Sequence, residues 1–264
     1  VSDLVNPLAE RAHRALNDRF LQEALGIATT KFQTLRGEAF SGFPEGEALR
    51  HRAREIKEAT LQKLDFYLAE LADSVERLGG QVHWAATGDE ARDIVVRLAR
   101  DRGVKMAVKS KSMATEEIEL NEALLRAGVT PVETDLGEYI IQLAHEKPSH
   151  IIAPAIHKTK GQVADLFAKE LKRPVAADPE ALTKIARAEL RRKFFQADMG
   201  ITGANFAVAE TGTIVLVTNE GNGRMVTSLP RIHVALMGME KVIPTMTDLM
   251  VFLAILARSA TGQK

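Results

Sequence analysis

Residues 104–144, VKMAVKSKSMATEEIELNEALLRAGVTPVETDLGEYIIQLA, switch period three times in one run. VKMAVKS is a short β-rich segment. TEEIELNEALLRAG follows with helical spacing, acids in its first turn and a glycine at its end, the polarity that a helix dipole and a left-handed cap favour. VTPVETD is again β-rich, and EYIIQLA again helical. A strand–helix–strand–helix repeat of this length predicts a mostly parallel sheet covered by helices.

The alternation extends in both directions. Upstream, GQVHWAAT (80–87) reads as a strand. Thr87 to Glu90 has the spacing of a capping box, and the helix behind it carries Ala91, Ile94, Val95, Leu98 and Ala99 inward until Gly103. Downstream, HIIAPA (150–155) reads as a strand and GQVADLFAKEL (161–171) as a helix. Asp178-Pro179-Glu180 then opens a longer helix, Asp as cap and Pro in the first turn, predicted to run to Gly200 on a stripe of Leu182, Ile185, Leu190 and Phe194. NFAVAE (205–210) and TIVLVT (213–218) are separated only by Thr211-Gly212, hairpin spacing that makes this part of the sheet antiparallel. RIHVALMG (231–238) is a further strand, and an apolar helix from Thr247 to Ala257 follows. The fold class expected is α/β, a three-layer mixed sheet flanked by helices.

Before Gly79-Gly80 the chain reads as helix throughout, which divides it into a helical N-terminal region (1–78) and an α/β domain (79–264). One amphipathic stretch runs from Pro7 to about Ala28. After a break at GEAFSGFPEG (37–46), a longer helix spans Glu45 to Leu78. Leu61, Leu64, Leu68, Leu71, Val75 and Leu78 alternate by three and four along it, a seam that packs on the chain's own body or on a partner.

Composition bounds the function. Of 264 residues, 45% are hydrophobic and 27% charged, with 35 basic and 35 acidic side chains. No global field recruits nucleic acid or an anionic membrane, and no apolar run approaches the ~18–20 residues of a membrane span. The start of the chain lacks the basic and apolar segments of a signal peptide, so the expected location is the cytoplasm. There is no cysteine. Thiolate nucleophiles, zinc ribbons and cysteine-ligated clusters are therefore excluded from these residues, and the seven scattered histidines make no metal motif. Walker, dinucleotide-binding, nucleophile-elbow and kinase signatures are absent.

Ligands of open α/β sheets sit beyond the carboxyl ends of the strands, where helix N-termini attract anions. Two strand-to-helix loops are basic and hydroxylated. KSKSM offers Lys109, Ser110, Lys111 and Ser112, and AIHKTKG offers His157 and Lys158, a set suited to a small carboxylate or phosphate. Around the predicted hairpin, Glu210 is a candidate acid, base or nucleophile. Thr211, Gly212 and Thr213 form the turn, while Asn219, Glu220, Asn222 and Arg224 belong to the polar NEGNGR loop at the other end of the strand, on the order of 20 Å away. The two groups cannot both line one small site through that strand alone.

Taken in order, KSKSM, ETDLGEYIIQL, PSHIIAPAIHK, ITGANFAVAETGTIVLVTNEGNGRM and LPRIHVALMGMEKVIPT resemble the lactate-utilisation domain family, most closely its iron–sulfur subunit. The resemblance covers nearly the whole chain and is densest from Lys109 to Thr245. It implies a fold like that of ribose-phosphate isomerase, glucosamine-phosphate deaminase and the CoA transferases, and a place beside other lactate-utilisation subunits in a cytoplasmic system that oxidises L-lactate to pyruvate. The family's iron–sulfur subunit carries ferredoxin-like cysteine motifs beyond this domain. The cysteine-free chain is therefore expected to be an N-terminal portion that holds no cofactor itself, with [4Fe–4S] clusters in a full-length version. Two other readings stand beside this one: a CoA-transferase-like or isomerase-like enzyme using Glu210, and a non-catalytic anion-binding or subunit-docking module.

Overall fold

A computed structural model gives the structure of the chain at residues 7–146, 154–218 and 220–263. Four helices come first: α1 (Pro7–Asn17), α2 (Arg19–Ser41), α3 (Gly46–Gln62) and α4 (Leu64–Arg77). They are followed by α5 (Gly88–Asp101), β1 (Met106–Lys109), α6 (Met113–Glu117), α7 (Leu120–Arg126), β2 (Thr130–Glu133), α8 (Leu136–Ala144), α9 (Lys160–Leu171), α10 (Pro179–Gln196) and β3 (Met199–Thr202). The chain closes with β4 (Phe206–Val208), β5 (Thr213–Val215), α11 (Asn222–Ser228), β6 (Ile232–Ala235), β7 (Val242–Ile243) and α12 (Met246–Thr261).

The expected α/β class holds, and the strands divide between two sheets. One is four-stranded and wholly parallel, ordered β2-β1-β3-β6. Its faces are covered differently. Val108, Val132 and Val226 join Tyr139 and Ile140 of α8, Phe167 of α9 and Leu190 of α10 on one side; Ala107, Met199 and Ile201 meet Val95 and Ala99 of α5 and Leu120 and Leu124 of α7 on the other. The second sheet is three-stranded, β5-β4-β7, with β4 antiparallel to β5 and parallel to β7. Val208 and Ile243 face Ala53 and Ile56 of α3 and Leu249 and Phe252 of α12. Ala207, Ala209 and Val242 face Leu68 and Leu71 of α4. Each sheet is thus the middle layer of its own sandwich, and each fully buried aliphatic side chain contributes roughly 1.5–3 kcal/mol.

Local chemistry explains most element ends. The side chains of Asp18, Thr87, Ser112, Asp135, Thr159, Asp178 and Thr245 each accept a backbone N–H in the first turn of the helix they precede. Gly103 and Gly128, at φ 62° and 79°, take the left-handed conformation that ends α5 and α7. Gly200 serves packing instead. A Cβ there would lie 2.0 Å from the Val226 carbonyl, so its absence lets α11 rest directly on β3.

Several boundaries differ from expectation. The first helix divides at Asp18, whose carboxylate caps a new helix, and α2 runs past Ala28 to Ser41. The long second helix divides at Lys63. Residues 80–87 form no strand. Trp84 is 55% exposed there, and no strand among the described residues pairs with the segment. The helix after KSKSM breaks at Glu119, held at φ 52°. The helix opened by Pro179 stops at Gln196, and Met199–Thr202, expected at its end and beyond, is the fully buried β3 between β1 and β6. Of HIIAPA, residues 150–153 lie outside the described residues, and Pro154 is in a turn. The seam is core at Leu68 and Leu71, whereas Leu61 and Leu78 are 50% and 76% exposed.

Candidate functional site

The carboxyl ends of β1, β2 and β3 meet at one edge of the parallel sheet, and their polar residues interlock there. Lys109 and Glu133 are register partners at the last positions of β1 and β2, on the same side of the sheet. Lys109 is 1% exposed. Its Nζ donates to Glu133 Oε1 at 2.6 Å and to Asn121 Oδ1 of α7 at 2.7 Å, while Asn121 Nδ2 donates to the same Glu133 oxygen at 2.8 Å. The Lys109 ammonium is therefore spent within the protein, and desolvated pairs of this kind are costly to break from one side.

Beyond Lys109 the chain turns over the sheet edge. Ser110 N donates to the Ile201 carbonyl at 3.0 Å, and Ser112 caps α6. A Cβ on Gly203 would lie 2.8 Å from Ser112 Oγ, so the β3–β4 connection closes on this loop only because the residue is glycine. Ser110 is 8% exposed, and its hydroxyl is not among the buried side-chain atoms left without a partner. Lys111 retains 24% side-chain exposure, with its Nζ 4.0 Å from Glu138 Oε1.

Glu138 lies in the first turn of α8 and is buried. Burial, then the negative charges of Glu116 and Glu133, push its carboxyl up to about 8, with Lys111 pulling the other way. Glu116 of α6 is also raised, by burial and by Glu133. Glu220 is raised by burial and by Asp135; its Oε2 accepts the Leu136 N–H at 3.2 Å, fastening the loop before α11 to the start of α8. Asn222 Nδ2 donates to Thr134 Oγ1 at 3.3 Å, and Thr134 Oγ1 donates to the Lys109 carbonyl at 2.7 Å.

The structure thus gathers Lys109, Ser110, Lys111, Ser112, Glu220 and Asn222 around one edge, and places the other candidates elsewhere. Pro154 abuts Gly137 in the first turn of α8, but His157 and Lys158 both engage Glu146, just past its last turn. The Lys158 ammonium, then the hydrogen bond with the His157 ring, hold the Glu146 carboxyl below its ordinary range. The two basic loops therefore act at opposite ends of a nine-residue helix, about 13 Å apart along its axis. Thr211 Oγ1 donates to Thr213 Oγ1 at 2.8 Å, and Gly212, at φ 70°, packs on the Ser74–Val75 backbone of α4. Glu210 is exposed; its Oε2 accepts the Met246 N–H of α12 at 3.0 Å and its own N–H donates to the Pro244 carbonyl. None of these partners belongs to the KSKS loop. Arg224 is exposed on α11, and Asn219 lies outside the described residues.

Sequence reasoning passed over Glu116, Asn121, Glu133 and Glu138. The signal for Glu133 was in the register: a glutamate ends β2 at the position where Lys109 ends β1. The others become neighbours only once α6, α7 and α8 are packed. Among the described residues, no group of three or more histidines and acids is arranged to hold a metal ion. No described helix is long and apolar enough to cross a membrane.

Residues 68–264 match the LUD domain family. The chain is 45% identical over 259 residues to Lactate utilization protein B of Shouchella clausii (strain KSM-K16), covering 98% of this chain and 54% of that relative. It is also 45% identical over 256 residues to Lactate utilization protein B of Bacillus subtilis (strain 168), covering 97% and 53%. The chain spans about half the length of the curated relatives it matches. No solved structure matches it.

Proposed function

The chain belongs to the LUD domain family, and on that premise we propose that it is the cysteine-free domain of a lactate-utilisation protein, acting in the cytoplasm with other lactate-utilisation subunits in the oxidation of L-lactate to pyruvate. Its contribution is to hold a small carboxylate at the carboxyl edge of the parallel sheet. The observation that carries this reading is an accessible cation beside a serine: Lys111 keeps part of its surface, and no hydrogen bond ties the hydroxyl of the neighbouring Ser110 to another described side chain. A lysine ammonium and a serine hydroxyl both donate, and a carboxylate accepts from both.

A [4Fe–4S] cluster does not fit these residues, because thiolate ligands are required and the chain has no cysteine. Any cluster that serves the reaction is held outside these 264 residues, and the domain's own work is binding and orientation. The phosphate alternative shares the same donors and is distinguished by competition.

The test is ligand-induced thermal stabilisation with L-lactate, pyruvate and inorganic phosphate. The carboxylates are expected to raise the Tm of the wild-type protein and to lose that effect in Lys111→Ala, which alters a partly open side chain. Equal stabilisation of the wild type and the variant would remove this edge as the binding site. Lys109→Ala is unsuited to the purpose, since it leaves Glu133 buried without its cation.

A further inference from the structure

The first two helices bury little. No described side chain from residue 8 to residue 38 is buried, and none enters the core of either sandwich. α2 is anchored at its far end, where Ala39 is buried, Gly262 packs on the Leu35 backbone and the Arg258 guanidinium lies 4.2 Å over the Phe43 ring. Ahead of that anchor, α1 and most of α2 form an arm on which Leu16, Phe20 and Ile27 are 70%, 50% and 65% exposed. At roughly 100 Å² of apolar surface apiece, these three reach the patch size that marks interaction sites.

The charges beside the patch indicate what covers it. Glu23, Ile27 and Lys31 are four apart, so they form one row along α2 with about 6 Å between neighbours. Glu23 and Lys31 are exposed, and neither makes an ion pair among the described residues. Lys31 has no acid three or four positions away in either direction, so its own helix offers it no partner. A second α2 laid antiparallel on the first, with a two-fold axis at Ile27, supplies one. Each Glu23 then meets the Lys31 of the other copy, and each Phe20 meets Thr34 and the lysine stem. Parallel pairing would instead set Glu23 against Glu23 and Lys31 against Lys31.

We propose that the arm is a self-association surface, on which two copies of this chain pair through antiparallel α2 helices about a two-fold axis at Ile27. Contact between the apolar residues supplies the affinity. The reciprocal Glu23–Lys31 pairs add little to it, being open to solvent, but they penalise the wrong direction and register. The same patch serves both copies, so association stops at a dimer.

Sedimentation equilibrium of the intact protein from about 1 to 100 µM, with far-UV circular dichroism of every variant, tests this, and wild type is expected to dimerise within that range. Glu23→Lys and Lys31→Glu each create two like-charge contacts and should weaken the dimer about tenfold or more. The double variant should recover the wild-type Kd, as should an equimolar mixture of the two single variants. Ile27→Lys should leave the chain monomeric with its helical signal unchanged; Phe20→Ser serves if that variant loses helix. A wild type that is monomeric throughout, including one whose arm takes another lactate-utilisation subunit instead, overturns self-association. A folded Ile27→Lys with the wild-type Kd overturns the assignment to the arm. Single charge variants that have no effect, or that weaken the dimer without rescue by the double variant, overturn the antiparallel register.

Discussion

Glu138 shows how one side chain's surroundings enter the stability of the whole chain. A carboxyl raised from its ordinary value to about 8 in the folded state binds its proton more tightly there than in the unfolded chain. Its favourable contribution is complete below about pH 4.5 and is lost as pH rises through about 8. The expected size is on the order of 2 kcal/mol, smaller than the whole shift implies because water at the Lys111 opening screens the pair. Urea unfolding of wild type and Glu138→Gln at pH 5 and pH 8.5 should show them close at the lower pH and the variant more stable at the higher; a constant difference would contradict it. Lys109 makes the complementary case. Lys109→Met should cost roughly 3–5 kcal/mol by stranding Glu133, and Lys109→Met with Glu133→Leu should recover most of it, as a double-mutant cycle in urea would measure. At this scale the sequence disclosed half of the arrangement. The hydroxyl-and-lysine run was legible because it stands at a strand-to-helix junction. The acids opposite it were not, because Glu116, Glu133 and Glu138 belong to three different elements and only the folded chain brings their charges to bear on one another.

Elements were legible where a local cap or glycine marks them. Thr87 and Asp178 announced their helices, and Gly103 announced an end. β3 was missed because MGIT has no alternation and follows a helix without a turn signal; it is a strand because it lies between β1 and β6, all four residues buried. The segment 80–87 erred in the opposite direction, having β-forming residues and no partner strand among the described residues. Two substitutions test the packing. Leu68→Lys with Leu71→Lys puts two charges between α4 and the second sheet, and far-UV circular dichroism should report loss of folding; a folded protein that merely loses a partner would mark the seam as an external surface. Gly200→Ala forces α11 off β3 and is expected to cost on the order of 2–3 kcal/mol, read as a fall in Tm of several degrees. An unchanged Tm would mean that α11 is free to shift.

Across the molecule, two sandwiches share one chain, and their strands interleave: β3 of the first leads directly into β4 of the second, and β6 into β7. This mixed order is why the hairpin reading was right locally while the partition into two sheets was illegible; pairing partners are chosen by long-range burial, which short-range spacing does not encode. The single tryptophan offers a check on the whole. Trp84 is already solvated in the native state, so emission should shift little on denaturation while the helical signal collapses. A large red shift would place its ring inside.

The outer side of β2 has a further consequence. Pro131 has no N–H to offer there, its carbonyl accepts from Gln142 Nε2 at 3.0 Å, and the Glu133 N–H donates to Gln142 Oε1 at 3.0 Å. A side-chain amide thus stands in for a neighbouring peptide and blocks strand addition at that register. On the far side, β6 has no neighbour among the described residues. Aggregation by sheet extension would therefore have a direction: a growing end at β6, a capped one at β2, and Gln142 as the residue whose loss would open the second.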